Sequence, residues 1–192
     1  LFYSTFFGGA YWVWLLILFA FVIQAISYEF RRKPNNFLGQ KTYETFLFIN
    51  GALGTILIGT AVATFFTGSE FSMEKINLTN LTGERMPIIS SWETPYHGLE
   101  AALNFHNISL GLAVFFLART LAALYFIRNI DNENIIARTK KCLLINGIAF
   151  TAFFLTFFIW LLFIDGVAYN PETLKFFKAE NKYWQNLLEM PL

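Results

Sequence analysis

Hydrophobic positions along this chain do not alternate with polar ones. They run together in four long blocks, residues 6–28, 45–66, 108–127 and 142–164, set apart by polar, turn-rich segments. Each block has close to the ~20 residues that an α-helix, rising ~1.5 Å per residue, needs to cross a ~30 Å hydrocarbon core. A single charge interrupts them, Arg119 in the third. A transmembrane β-strand needs only ~10 residues of alternating pattern, so continuous runs of twice that length predict helices rather than a barrel. The pattern therefore predicts an all-α integral membrane fold with four transmembrane helices, forming a single membrane domain over residues 1–192.

Between the second and third blocks lies a long segment, residues 67–107. It has strand-like and turn-like pieces, and Pro87 and Pro95 argue against one long helix. The tail, residues 165–192, is expected to form a short amphipathic helix with Pro171 near its start and Leu174, Phe176, Phe177, Trp184, Leu187 and Leu188 as its apolar residues. Such a segment lies on the membrane surface or packs against another part of the protein.

Composition agrees. The chain is 56% hydrophobic and only 14% charged, where a soluble domain would carry roughly 25%. The net charge of +1 comes with no basic block suited to nucleic acid. The distribution of Lys and Arg is more telling than their sum. Arg31, Arg32, Lys33 and Lys41 fall between the first two blocks, and Arg128, Arg138, Lys140 and Lys141 between the last two. The long segment has only Lys75 and Arg85, against Glu70, Glu74, Glu84, Glu93 and Glu100. Cytoplasmic loops are the ones enriched in Lys and Arg, so both short connections are expected inside and the long loop and tail outside. Trp92 and Tyr96 would then suit an outer interface.

Candidate chemistry is sparse. Cys142 is the only cysteine, which rules out an intrachain disulfide, and no Cys/His pair has zinc spacing. Asn77-Leu-Thr79 and Asn80-Leu-Thr82 match the glycosylation acceptor pattern but carry little weight. His97 and His106 are the only histidines; neither has a helical partner at the depth haem ligation would need. Glu29 and Arg31 close the first span within Tyr28-Glu29-Phe30-Arg31-Arg32-Lys33. There Glu29 either takes up protons or belongs to a surface charge network. Arg119 is costly in hydrocarbon, roughly 2.5–3.5 kcal/mol on insertion scales. It must meet a partner, a cavity, another subunit or a bound lipid or quinone, or else snorkel toward the basic side, where Arg128 lies.

Span two carries small residues at intervals of four, Gly51, Thr55, Gly59 and Ala63. They share one helix face and let a neighbouring backbone approach closely. Leu47-Phe48-Ile49-Asn50-Gly51 is echoed by Leu143-Leu144-Ile145-Asn146-Gly147, each after a basic connection, as two duplicated hairpins would be.

Several segments together resemble subunit II of the cytochrome bd quinol oxidases. Phe6-Phe7-Gly8-Gly9-Ala10-Tyr11, the apolar run and Tyr28-Glu29-Phe30-Arg31 are similar to that subunit's third helix, and span two with Phe66-Thr67-Gly68 to the next. Thr94-Pro95-Tyr96-His97-Gly98-Leu99 resembles the family's Asn-Pro-Phe-x-Leu segment, and Arg128 to Arg138, with Asp131 and Glu133, its Arg-Thr-x-Gly-Glu-Leu-x-x-Arg loop. Ile164-Asp165-Gly166 is similar to the exit of the last helix. The matches run in order through nearly the whole chain. Gln24 stands where the family often has Arg, and Arg119 has no clear counterpart.

The resemblance implies the central part of a subunit of about eight helices in the bacterial cytoplasmic (inner) membrane. It implies a heterodimer with subunit I that oxidises quinol and reduces dioxygen to water. Haem b and haem d would sit in subunit I, with no haem or metal on this chain. This subunit would support subunit I and line part of a proton route, with Glu29, Arg31 and Arg119 as candidates and with lipid or quinone as ligands. The alternatives are a fragment of a secondary transporter, suggested by the echo and Arg119, and a structural subunit of another membrane complex.

Overall fold

Four helices long and apolar enough to cross a membrane dominate the computed structural model, which describes residues 2–34, 36–75, 88–170 and 175–189. In chain order the elements are α1 (Phe2–Gly9), α2 (Tyr11–Phe30), α3 (Gln40–Thr67), β1 (Phe71–Lys75), β2 (Ile88–Trp92), α4 (Leu99–Leu103), α5 (Phe105–Asn129), α6 (Glu133–Phe163), β3 (Gly166–Asn170), β4 (Lys175–Ala179) and α7 (Lys182–Leu188). The spans are α2, α3, α5 and α6. They stand in a row in which α3 packs on α2 and on α5, and α5 packs on α6.

The first block is not one helix from residue 6. The chain breaks at Ala10 (φ −116°, ψ 38°), and the span begins at Tyr11. The Trp12 N–H, which a continuous helix would direct at the Gly8 carbonyl, instead donates to His97 O at 3.3 Å, and Gly8 O accepts from Trp92 Nε1 at 2.8 Å. The long loop thus takes over a helical hydrogen bond that the sequence pattern assigns to the helix itself.

The basic connection between the last two spans is also shorter than residues 128–141. Asn132 accepts from Asn134 N and Ile135 N through its side chain and caps α6, so Arg138, Lys140 and Lys141 are helical. At 31 residues α6 is roughly 46 Å long, more than a ~30 Å core requires, so its basic first turns reach past the hydrocarbon.

Both β-hairpins lie at the opposite end of the row from the basic connections. β1 pairs antiparallel with β2 from Phe71↔Trp92 to Lys75↔Ile88. In the tail, β3 pairs with β4 from Gly166↔Ala179 to Asn170↔Lys175. The tail is therefore not one amphipathic helix from Pro171. Val167, Tyr169, Phe176 and Phe177 belong to strands, as β-branched and aromatic residues favour, and α7 keeps only Trp184, Leu187 and Leu188. Leu174, Pro171, Pro87 and both glycosylation sequons lie outside the described residues.

Burial is concentrated on α3. Ala10, Val13 and Ile17 pack with Leu57 and Ala61 on one side of it, and Ala63 packs with Phe157 and Leu161 on another. The remaining faces are apolar and open: Leu18 and Phe19 on α2, Leu144, Ile148 and Phe163 on α6. Lipid tails solvate such faces, so only backbone polar groups must be paired, and the helices do that internally. Polar side chains within the spans return bonds to their own helix, as Ser27 does to Ile23 O at 2.7 Å and Thr60 to Ile56 O at 2.8 Å.

Candidate functional site

α3 and α5 approach each other closely at two glycines. A Cβ added at Gly59 would stand 2.8 Å from Gly111 Cα, and one added at Gly111 would stand 2.6 Å from Ile56 O. Without a hydrophobic drive between helices in lipid, this backbone contact of α3 with α5 provides dispersion that bulkier residues would prevent. The small-residue stripe is not uniform. Gly59 and Ala63 are buried in packing, and Thr55 is half-buried with its hydroxyl on Gly51 O at 3.0 Å. Gly51 has nothing within 4 Å of an added Cβ. The partner glycine, Gly111, carries no sequence signal beyond being small in an apolar span.

Arg119 meets α6. Its Nε donates to Asn146 Oδ1 at 3.0 Å, and its guanidinium carbon lies 5.6 Å from the Phe115 ring centre. Phe115 is one turn toward the hairpin end, so the side chain is not stretched toward Arg128. Helical Cα–Cβ bonds tilt toward the N-terminus, which for α5 is away from the basic end. Asn146 is buried and also donates to Cys142 O at 2.7 Å, which fixes the amide orientation.

The echo between the hairpins is structural too. Asn50 donates to Phe46 O at 2.8 Å as Asn146 does to Cys142 O, and both amides are buried. Thr55 returns to Gly51 O, and Thr151 to Gly147 O at 2.9 Å. Gly147, like Gly51, faces open space.

Glu29 and Arg31 are not partners. Glu29 pairs with Lys33 at 2.6 Å, both side chains being largely exposed, and Arg31 lies over the Tyr28 ring at 4.9 Å. Among the described residues no hydrogen bond or ion pair joins either to Arg119.

At the hairpin end the long loop is locked onto α1 and α2. Trp12 Nε1 donates to His97 Nδ1 at 3.4 Å, and the Trp92 ring meets His97 edge-on at 4.5 Å. His97 and Gly98 both have positive φ, 47° and 88°. An added Cβ at Gly98 would collide with Gly9 O and Ala10 Cα, so this position accepts only glycine. Gly9 in turn leaves room for Ser69. His106 stacks on Trp160 with ring centres 3.7 Å apart, and Asn107 donates to Thr67 Oγ1 at 3.0 Å, tying α5 to the end of α3. Among the described residues no group of three His, Cys, Asp or Glu could hold a metal ion.

Two findings from comparison with known proteins complete the picture. A family model described as cytochrome bd terminal oxidase subunit II matches residues 1–188. No curated protein matches the chain.

Proposed function

The chain belongs to the cytochrome bd terminal oxidase subunit II family, and from that premise we propose that it is the scaffold subunit of a complex that oxidises quinol and reduces dioxygen to water. It is a multi-pass membrane protein and part of an oxidoreductase complex. The bacterial cytoplasmic membrane is the setting we assign it. Haem b and haem d belong to subunit I in this reading, and quinol is oxidised there.

The observation that carries it is how the polar residues of the spans are used. Ser27, Asn50, Thr60, Thr120 and Thr151 bond to their own helix backbones, and Ser109 and Asn107 tie helices together. His97 is held between Trp12 and Trp92, and His106 lies flat on Trp160. The residues support a framework that holds helices in place, with open apolar faces left for lipid and for subunit I.

The transporter alternative fits less well. Transporter sites are commonly formed by spans unwound near the bilayer midplane. Here α3, α5 and α6 run unbroken, and the one break, at Ala10, falls at the end of its span. For Glu29 the pairing with Lys33 favours the surface network over proton uptake.

The test is an optical spectrum of the native complex purified through this chain. Haem b and haem d bands, together with quinol-dependent oxygen uptake, are expected. A haem-free complex that moves an ion or solute would replace the oxidase reading.

A further inference from the structure

A cleft of about 320 Å³ opens between α5 and α6 near the basic end, with Arg119, Ala123, Phe126, Arg138, Cys142 and Asn146 among its walls. It holds two guanidinium groups and no acidic lining residue. Asp131 and Glu133, on the adjoining turn and first turn of α6, do not line it. Among the described residues, neither Arg119 nor Arg138 has a carboxylate partner; the ion pair there is Glu29–Lys33, on the other hairpin. Arg119 commits its Nε to Asn146, and among the described residues no acceptor meets its terminal amino groups. From Arg138 to Asn146, level with Arg119, is roughly 12 Å of helix at ~1.5 Å per residue. Ala122, Phe126 and Cys142 are exposed, so the cleft opens sideways onto the apolar face, where lipid chains lie.

We infer that this cleft binds a phosphate oxyanion, that of an anionic phospholipid headgroup of the cytoplasmic leaflet. The inference goes beyond the oxidase reading and does not rest on it. Two guanidiniums that share a cleft and have no carboxylate among the described residues, Arg119 within its span and Arg138 on the first turns of α6, favour an anion, and a phosphate diester matches their planar donor forks. The lipid is the fitting source because the cleft opens laterally at the end of α6 that also carries Lys140 and Lys141, and such basic residues draw acidic headgroups to the cytoplasmic side. Each cation near the surface favours an acidic over a neutral lipid by roughly fivefold, so two give roughly 30-fold.

Cys142, the only cysteine of the chain, lines the cleft and reports its occupancy. The intact purified complex is placed in nanodiscs of phosphatidylcholine, with or without phosphatidylglycerol. Its alkylation by a membrane-permeant maleimide is followed on the Cys142 peptide by mass spectrometry. Phosphatidylglycerol is expected to slow alkylation at least fivefold. The Arg119→Gln/Arg138→Gln variant should lose that protection, and the Arg119→Lys/Arg138→Lys variant should keep part of it. If the Gln variant fails to assemble, Arg138→Gln alone, at the mouth of the cleft, carries the same comparison. Protection by inorganic phosphate in phosphatidylcholine discs would assign the site to a free anion instead. Equal rates in both lipids would overturn the proposal, as would a thiol unreactive in either, which would mean that another subunit covers the cleft.

Discussion

Replacing Gly59 by alanine should destabilise this protein, while the same change at Gly51, two turns away on the same stripe, should not. A Cβ at position 59 would stand 2.8 Å from Gly111 Cα, 2.9 Å from Val114 Cγ2 and 3.0 Å from Leu110 O. Val114 can rotate away, but the other two atoms are backbone. Carbon atoms pack best at ~3.5–4.0 Å, so α3 and α5 must part locally by roughly 0.7–1 Å. A gap of that size forfeits about a quarter to a half of the dispersion between atoms facing across it, and overpacking of this kind costs ~1–3 kcal/mol. Relief of a helical glycine returns only ~0.5–1 kcal/mol. At Gly51 nothing lies within 4 Å of the new methyl group, so only that favourable part remains. The two variants should therefore differ by ~1–3 kcal/mol, measured as the thermal midpoint of the purified complex in detergent. Gly111→Ala meets Ile56 O and Thr60 Oγ1 and should act like Gly59→Ala. The double variant should cost less than the sum, because helices already separated leave room for the second methyl group. Equal midpoints for the Gly51 and Gly59 variants, or a strictly additive pair, would refute the close-approach argument.

Other consequences can be tested in the same preparation. In a double-mutant cycle, Arg119→Leu and Asn146→Leu should couple by ~0.5–1.7 kcal/mol, the range for hydrogen bonds between membrane helices; zero coupling would mean the contact does not form. Gly98→Ala should free the long loop from α1 and α2 because its methyl group has no space, seen as faster proteolysis between residues 68 and 104; unchanged digestion would contradict the docking. Single cysteines at Phe37 and Glu93, in a Cys142→Ala background, should react with an impermeant reagent on intact cells at Glu93 only, and the reverse pattern would invert the orientation. Glu29→Gln should leave oxygen uptake unchanged across pH, since the carboxylate serves Lys33 at the surface; slowed turnover with an intact complex would restore the proton-route reading.

Much of this protein could be read from its sequence because a bilayer leaves the chain few choices. A run of apolar residues long enough to span can satisfy its backbone only as a helix, so the four blocks became α2, α3, α5 and α6 without any knowledge of tertiary contacts. The ordered motifs pointed to the family whose model matches residues 1–188. Boundaries were set by contacts distant in sequence: α2 starts at Tyr11 because His97 and Trp92 exchange hydrogen bonds with Trp12 and Gly8. The tail became a hairpin plus a short helix because β3 and β4 pair with each other, a choice that apolar spacing alone does not decide. Small residues in a span announce close packing but not where it occurs. Only the crossing of α3 with α5 made Gly59 tight and left Gly51 free. For Arg119 the sequence determined that a cation within a span must find an acceptor or snorkel toward the basic end. That the acceptor is Asn146, and that Arg138 shares its cleft, follows from how α5 and α6 pack side by side.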